Sequence, residues 1–346
     1  MKDILIVGFG LAGLSVARHA KLKDKSFDVI SNSSQLSSRI AGGILNPVAV
    51  KRMKPVWQVE DFLPYALNYY NHLDAIFNAK SYQDKNIQVI IHNTEQENNW
   101  YEAKDKTRLR PYLSSKVRLN NNKSIHEDKI GEIKAGWVDL KILFYSAQIH
   151  FERLNSWLSD TFEYSKLNIQ PDKINYKNRD YKHIIFCEGF GVTQNPYFNN
   201  LGIYGNKGDY LIIKSKQLQL KNIVKAKYFL IPLGNDLYKF GATYQREPLD
   251  HQPSDVAKSQ MIEALDKMIN VPYKIVDQIC GIRPTTRDRR PILGTHQQHQ
   301  NLHILNGFGS RGVMVSPLLG KYLIDHIFEQ KPLPDEVSIH RLYARI

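Results

Sequence analysis

The sequence predicts an α/β fold, α+β overall, in which a Rossmann-like nucleotide-binding domain carries an inserted, mostly antiparallel β-sheet domain. Three observations favour it. The chain opens with the glycine-rich motif VGFGLAG at residues 7–13, and a second region rich in glycine and arginine follows at residues 281–327. Between them, short alternating strands separated by turn residues fill residues 202–250. The late glycine-arginine region indicates that the chain returns to its first domain.

Length supports two domains, because 346 residues exceed the usual size of a single core. A chain that returns to its first domain makes that domain discontinuous. We expect the nucleotide-binding domain to comprise residues 1–80, 136–200 and 280–346, and the inserted domain to comprise residues 81–135 and 201–279.

The N-terminal motif is typical of a dinucleotide-binding turn. An apolar stretch precedes Gly8, Gly10 and Gly13, and the helical run LSVARHAKL follows them. Gly8 would allow the tight turn, Gly10 would let the backbone approach a pyrophosphate, and Gly13 would let the helix pack on the strand. Leu11 and Ala12 fall where the positive end of the helix would face phosphates. The motif therefore predicts a bound dinucleotide.

The second predicted strand, FDVISNSS at residues 27–34, lacks a feature that this fold usually has. An acidic residue normally ends the strand and binds the adenosine ribose. Ser31 and Asn32 stand there instead. Both can hydrogen-bond a hydroxyl, so we keep them as candidate cofactor-binding residues.

Small residues are concentrated in the next loop, residues 37–53. Ala41, Gly42 and Gly43 would permit close approach of the backbone to a cofactor, although a plain surface turn also uses such residues. The segment that follows, residues 56–77, has the apolar spacing of a helix. Its aromatic residues are interpreted as packing.

The middle of the chain changes pattern twice. Residues 81–135 are polar and strand-like, and the Asn-rich segment 118–129 is typical of a hairpin or loop. Residues 136–154 then predict a long helix with Asp139 as its N-cap.

The second half of the chain again contains predicted strands and a predicted helix. YKHIIFCEGFG at residues 181–191 predicts a buried strand with glycines at its carboxyl edge, where a doubly wound sheet binds nucleotides, so Gly189 is a candidate. A strand followed by a plain turn would look the same. Residues 202–250 predict antiparallel strands, and residues 254–269 predict an amphipathic helix on the outer side of the inserted domain.

Charge allows two interpretations. Lys and Arg number 47 against 34 Asp and Glu, which gives a formal net charge of +13. Such an excess would attract a polyanion such as RNA through phosphate contacts. A Lys-rich background that only keeps the surface soluble explains the same number, and composition does not separate the two.

Several function classes are disfavoured by the sequence. No apolar run approaches the length of a membrane span, and an apolar strand begins at Ile4 where an export signal would lie, so we expect a cytoplasmic protein without a membrane partner. The histidines lack metal-ligand spacing, so no metal is expected. Cys187 and Cys280 form no CxxC pair and are interpreted as small buried residues.

Four segments carry a resemblance to a known family: VGFGLAG, GWVDLKIL, FLIPLGNDLYKFGATY and GIRPTTRDRRPILG. Over essentially its full length the chain resembles the FAD-dependent amine and amino acid oxidoreductases of the D-amino acid oxidase and glycine oxidase family. Its ending, with TRDRRPILG and GSRGVMVSPLLG, is most similar to the oxidoreductase domain of the bifunctional tRNA 5-methylaminomethyl-2-thiouridine biosynthesis proteins. The resemblance implies FAD as cofactor and a Rossmann-like FAD-binding domain with an inserted substrate domain.

The family also implies a reaction. A hydride moves from the carbon beside an amine nitrogen to FAD, and water hydrolyses the resulting imine. The substrate would be a small glycine-like amine or the carboxymethylaminomethyl group of a tRNA wobble uridine. The alternatives are a free amino acid, namely glycine, sarcosine or a D-amino acid, and an inactive flavin-binding module that contacts nucleic acid.

Candidate site residues follow from the resemblance. Arg283, in the family's GxRP turn, would bind the substrate carboxylate with two parallel hydrogen bonds. Arg311 would share that task or contact the cofactor, and Tyr228 and Tyr244 would place hydroxyls near the substrate. Further residues are expected beside FAD: Gly281, Gly307, Gly309, Ser310, Arg311, Gly312 and Val313.

Overall fold

The computed structural model describes residues 1–32, 34, 37–126 and 129–343. Parts of three predicted segments lie outside the described residues: Ser33 of the 27–34 strand, residues 127–128 of the Asn-rich segment, and residues 344–346 of the C-terminal piece.

Helices and strands alternate along the described part of the chain. The helices are α1 (Leu11–Leu22), α2 (Ser37–Ile40), α3 (Val59–Phe77), α4 (Thr94–Asp105), α5 (Leu140–Arg153), α6 (Asp255–Asp266), α7 (Gly312–Glu329) and α8 (His340–Tyr343). The strands of the first half are β1 (Lys2–Val7), β2 (Phe27–Ile30), β3 (Ile44–Leu45), β4 (Val48–Ala49), β5 (Lys54–Pro55), β6 (Tyr82–Asp84), β7 (Ile87–Ile90), β8 (Arg118–Leu119), β9 (Lys129–Ile133) and β10 (Gly136–Val138). Those of the second half are β11 (Trp157–Leu158), β12 (Leu167–Ile169), β13 (Ile174–Tyr176), β14 (Arg179–Phe186), β15 (Tyr204–Lys214), β16 (Ile223–Lys225), β17 (Phe229–Gly234), β18 (Leu237–Gly241), β19 (Lys274–Thr285), β20 (Ile292–Thr295) and β21 (Leu302–Asn306).

The first sheet is the Rossmann-like layer that the sequence predicts. Its order is β11-β2-β1-β14-β13-β12, with β21 added to β14 and β20 added to β21. β1 pairs in parallel with β2 and β14, and β14 pairs in parallel with β21. The apolar run from Ile4 to Val7 is almost fully buried, as expected for a strand that helices cover on both faces. Strands from both halves of the sequence therefore form one sheet.

The second sheet is mostly antiparallel, in the order β19-β15-β18-β17-β16-β7-β9-β8. Its longest pairing joins β15 to β19 from Tyr204 opposite Thr285 to Lys214 opposite Lys274. The pair β16 and β7 is parallel. Strand β19 is continuous through residue 280, the expected boundary between the two domains. The proposed domain boundaries stay a prediction.

Most predicted elements occur, with two differences. Asp139 caps α5 through its carboxylate, which accepts hydrogen bonds from the amides of Lys141 (3.0 Å) and Ile142 (3.1 Å), but residues 136–138 before it are strand β10. The strand-like region 81–135 also contains helix α4. That helix is polar on most of its surface and buries Trp100 and Ala103, so its apolar periodicity is weak.

Helix α7 is anchored between the N-terminal helices. The Ser15 hydroxyl of α1 donates to the carbonyls of Ser316 (2.7 Å) and Pro317 (3.2 Å), and a Cβ at Gly320 would collide with Ser15. The Tyr70 hydroxyl of α3 donates to the Val313 carbonyl at 2.7 Å. These contacts fix the N-terminus of α7 relative to the glycine-rich turn before α1.

Candidate active site

A cavity of about 650 Å³ lies along the carboxyl edge of the first sheet and reaches the second sheet. We call its two parts the first-sheet end, beside the ends of β1, β2, β11 and β14, and the second-sheet end, beside Tyr210, Lys225, Phe229 and Arg283. Most of the predicted site residues line it: Gly8, Gly10, Leu11, Ala12, Ser31, Asn32, Ala41, Gly42, Gly43, Gly189, Tyr244, Gly281, Arg283, Gly309, Ser310, Arg311, Gly312 and Val313.

Three predicted residues lie outside the cavity lining. A Cβ at Gly13 would collide with the carbonyl of Gly8, which agrees with the helix-packing role given to Gly13. Gly307 has φ +77° and its amide donates to the Asn306 side chain at 2.8 Å. Tyr228 lies in the turn between β16 and β17 and packs edge-on against Phe240, with ring centroids 5.5 Å apart. The structure therefore does not bring Tyr228 to the cavity wall.

The glycine-rich turn has the geometry that a dinucleotide needs. Gly8 has φ +96°, in the left-handed region, and a Cβ there would lie 2.5 Å from the Cys187 carbonyl oxygen. The nearest atom to a Cβ at Gly10 is the Ser38 hydroxyl, at the tip of a side chain. Gly10 thus presents bare backbone to the cavity, at the positive end of helix α1.

An acidic residue that the sequence analysis did not single out, Asp160, lies beside the residues predicted to bind the ribose. β11 pairs in parallel with β2, so residues after Leu158 emerge beside Ser31 and Asn32. The Asn32 amide donates to the Thr161 hydroxyl at 3.1 Å, and the Asp160 carboxylate accepts from Lys177 at 2.7 Å. That hydrogen bond lowers the pKa of Asp160. Because β11 has two residues, its sequence carries no strand periodicity that would have revealed Asp160.

Glu188 is a second acidic residue that sequence reasoning missed. It follows β14, lines the first-sheet end, and accepts hydrogen bonds from the Tyr164 hydroxyl and the Asn195 amide (2.8 Å). Burial raises its pKa to about 7, against the two hydrogen bonds that lower it. Glu188 therefore changes charge near neutral pH.

Arg283 is held at the second-sheet end by neutral groups. Its Nη1 donates to the Asn206 side chain (3.0 Å) and to the Thr243 carbonyl (3.2 Å). The guanidinium lies over the Tyr244 ring, 4.6 Å from its centroid. Among the described residues, no carboxylate pairs with Arg283, so its charge is available for an anionic ligand.

Two glycines and a tyrosine shape the space around that guanidinium. A Cβ at Gly208 would collide with the Arg283 side chain, so the bare backbone lets the planar group lie flat on β15. Burial raises the pKa of Tyr210, while the nearby Arg283 opposes the rise. The Tyr210 hydroxyl also lies beside Gly42, so Arg283 and the predicted cofactor loop meet at one tyrosine.

Arg311 lies at the start of α7, where it is the N-cap residue without a side-chain capping bond. Gly312 and Val313 follow it along the cavity wall. The first turn of α7 therefore directs its positive end towards the cavity beside the start of α1, where the Leu11 side chain neighbours Gly312.

A family model described as FAD dependent oxidoreductase matches residues 3–326. That match covers nearly the whole chain. The chain belongs to the FAD-dependent oxidoreductase family. The sequence-based predictions of the family, of FAD as cofactor and of an oxidoreductase are confirmed by it.

Curated relatives of this FAD-dependent oxidoreductase are distant. The tRNA 5-methylaminomethyl-2-thiouridine biosynthesis bifunctional protein MnmC of Haemophilus ducreyi is 23% identical over 96% of this chain and 57% of its own length. The Shewanella halifaxensis protein of the same name is 26% identical over 48% of this chain and 32% of its own length. Glycine oxidase of Geobacillus kaustophilus is 26% identical over 36% of this chain and 34% of its own. The chain thus spans about a third to just over half of these relatives.

Solved structures share the fold at low identity. Glycine oxidase from Bacillus cereus matches with a TM-score of 0.78 and 17% identity, covering 96% of both chains. Iminodiacetate oxidase from Chelativorans matches with a TM-score of 0.78 and 18% identity, covering 97% of this chain and 99% of its own. At such identities the agreement shows the fold, including the inserted β-sheet layer.

Among the described residues, no helix is long and apolar enough to cross a membrane. No cluster of three or more His, Cys, Asp or Glu side chains there could hold a metal ion.

The glycine-rich turn, the helix end and the polar residues of the cavity suit FAD. The turn at Gly8 and Gly10 and the first turn of α1 offer bare backbone and a positive helix end, which suit a pyrophosphate. Asp160 and Asn32 offer oxygen atoms at the ribose position. Gly42 and Gly43 border the second-sheet end, where the chemical step would take place.

Lys225 is a further residue that sequence reasoning did not single out. It lines the second-sheet end, and burial lowers its pKa to about 8. Its ammonium donates to the carbonyls of Ala226 (2.6 Å) and Lys227 (2.8 Å) and lies 4.9 Å from the centroid of the Phe229 ring. A lysine in a basic sequence carries no signal by itself, and only the sheet register brings it to the cavity.

Proposed function

We propose that this enzyme oxidises the C–N bond of a secondary amine that carries a glycine-like carboxylate, and that the amine belongs to the carboxymethylaminomethyl group of a tRNA wobble uridine. One observation carries the first part. Arg283 projects into the cavity beside the predicted cofactor loop, held by Asn206 and Thr243 and without a carboxylate partner among the described residues. A carboxylate is the natural ligand for such a guanidinium.

The residues of this chain would bind and orient the substrate. Arg283 would hold the carboxylate, and Tyr210 and Tyr244 would flank the carbon next to it. Positioning of this kind lowers the barrier by fixing the reacting carbon against the cofactor. We propose that the lining glycines and Ser31, Asn32, Ser310 and Arg311 hold FAD, and that Arg283 and Tyr244 face the substrate.

When bound, FAD would supply the two-electron oxidant for the hydride that leaves the carboxymethyl carbon. The nitrogen lone pair forms the C=N bond and the nitrogen loses its proton, which gives an imine. Water adds to the imine carbon and the C–N bond breaks, releasing glyoxylate and a primary amine.

The tRNA part of the proposal rests on two supports. Relatives aligned with this chain are named for biosynthesis of a modified thiouridine in tRNA. The net charge of +13 suits a polyanionic substrate. A free amine such as glycine or sarcosine is the second candidate, because a glycine oxidase is also among the relatives.

Anaerobic bleaching of the flavin absorbance tests the proposal. The purified holoenzyme is mixed with tRNA that carries the carboxymethylaminomethyl group, with the same tRNA lacking it, and with glycine, sarcosine and D-alanine. We expect bleaching by the modified tRNA alone, together with release of glyoxylate. Bleaching by a free amine alone would support the second candidate, and no bleaching by any of them would refute the proposed chemistry.

A further inference from the structure

The second-sheet end of the cavity is cationic. The basic residues that line the cavity are Lys51, Lys225, Arg283 and Arg311. The acidic residues that line it, among those described, are Asp160 and Glu188, and both belong to the first-sheet end. One carboxylate on Arg283 would leave Lys225, the other cation of the second-sheet end, without an anion.

Sheet register fixes Lys225 relative to Arg283. Lys225 lies opposite Phe229, Phe229 opposite Gly241, and Gly241 opposite Tyr210. Neighbouring strands are about 4.8 Å apart, so the Cα atoms of Lys225 and Tyr210 are separated by roughly 14 Å. Tyr210 in turn neighbours Arg283. The two cations therefore face one cavity from separate positions along the sheet.

The environment of Lys225 is suited to an anion. Two of its three ammonium donors are used by the backbone carbonyls of the β16–β17 turn. No carboxylate among the described residues forms an ion pair with it. A partly buried cation bonded only to neutral groups gains from an anionic ligand, because the low local dielectric strengthens the attraction.

We propose that Lys225 forms a second anion subsite, so that the substrate is an amine with two anionic groups: one carboxylate on Arg283 and a carboxylate or phosphate on Lys225. The inference rests on the proposed function for the first carboxylate. Because the backbone positions of the two cations are separated along the sheet, we expect an amine with a single carboxylate, such as glycine or sarcosine, to engage Arg283 alone. A nucleotide whose base carries the carboxymethylaminomethyl group has a phosphate at a distance from its carboxylate and meets the requirement.

Equilibrium binding tests this subsite without turnover. The oxidised holoenzyme is titrated with dicarboxylates from glutarate to suberate and with the monocarboxylates of equal chain length, and the change in flavin absorbance gives each Kd. We expect at least one dicarboxylate to bind about 10-fold more tightly than its matched monocarboxylate, as a charge-assisted hydrogen bond provides. Uridine 5′-monophosphate compared with uridine tests whether the anion is a phosphate.

Variants test whether Lys225 causes the preference for dicarboxylates. K225Q should remove the preference for dicarboxylates, K225R should keep it, and K227Q, at the exposed neighbouring lysine, should leave it unchanged. Equal binding of both series to the wild type, or a preference that persists in K225Q, would overturn the subsite. A preference that K225Q removes, in an enzyme that no amine bleaches, would support the subsite and refute the proposed function.

Discussion

Arg283 reaches the cavity through contacts that leave its charge unpaired among the described residues. Asn206 and Thr243 hold one end of the guanidinium, Tyr244 lies beneath its plane, and Gly208 provides the flat surface behind it. Lysine has no planar group that could use this arrangement. The position is therefore specific for arginine rather than for positive charge.

Substitution of Arg283 should separate substrate binding from cofactor binding. R283A should keep FAD and raise the substrate Kd on the order of 100-fold, because a charge-assisted hydrogen-bond pair contributes about 3 kcal/mol. R283K should recover only part of the loss. The measurement is the substrate dependence of anaerobic flavin bleaching, with R287A, at an exposed arginine of the same region, as the control. Unchanged kinetics in R283A would exclude Arg283 from the site.

The raised pKa of Glu188 predicts that the stability of the fold depends on pH. Its pKa is about 7 in the folded protein and 4.5 in the reference state, so the folded chain retains a proton that the unfolded chain releases between these values. Stability therefore falls as pH rises through this window, by on the order of 3 kcal/mol. E188Q keeps a neutral group and should lose this dependence.

Urea unfolding of the cofactor-free wild type and E188Q at pH 5, 6, 7 and 8 measures the effect of Glu188. The free energy of unfolding of the wild type should decline relative to that of the variant as pH rises. A difference between the two proteins that stays constant over this range would show that Glu188 does not titrate there.

The glycine-rich turn brings β1, α1 and the end of β14 together at one point. Gly8 contacts the backbone after β14, whereas Gly10 faces the cavity. Gly8 and Gly10 therefore have different structural roles. Substitution of Gly8 would disturb the fold, and substitution of Gly10 would disturb the cofactor.

The G10V variant should purify as a folded protein without bound FAD, since its side chain would occupy the path of the pyrophosphate. Circular dichroism checks the fold, and the flavin absorbance of the purified protein checks the cofactor. V256A is the control, because Val256 is an exposed residue of helix α6 and lies outside the cavity. Retention of FAD by G10V would contradict the assignment.

Asp160, two residues after the edge strand β11, lies beside the end of β2, where this fold usually has an acidic residue, and its proposed contact with the ribose can be tested by substitution. D160N should raise the Kd for FAD about 10-fold, as expected for loss of one hydrogen bond from a charged acceptor. D172N, at an exposed aspartate away from the cavity, should bind FAD as the wild type does. Fluorescence quenching of FAD during titration of the apoprotein gives both constants, and equal values would remove Asp160 from the ribose site.

Local patterns explain which of these elements could be predicted. The dinucleotide turn was predictable because its glycines and flanking apolar residues lie within one short segment. Asp160 and Lys225 were not, because strand pairing brings them to the cavity from separate parts of the chain, whereas Glu188 lies beside the predicted Gly189 and was not singled out. Tyr228 lies in the turn before β17 and packs against Phe240, whereas its neighbour Phe229, the first residue of β17, lines the cavity. Sequence alone does not fix which residue of such a turn reaches the cavity.

The excess of basic residues over the whole chain predicts a different salt dependence of binding for the two candidate substrates. Binding of a tRNA releases counterions from its phosphates, whereas a small amine has few to release. With about four phosphate contacts, the affinity for modified tRNA should fall roughly 100-fold between 50 and 200 mM salt. The Kd for a free carboxylate should change far less. Similar salt dependence for both ligands would assign the net charge of +13 to background.

Helix α7 closes the cofactor cavity from late in the chain, packed against α1 and α3. During synthesis on a ribosome, the glycine-rich turn emerges long before the residues that complete its site. An early-terminated chain would expose the face of α1 that α7 covers, and it would lack the part of the cavity wall that Gly312 and Val313 form.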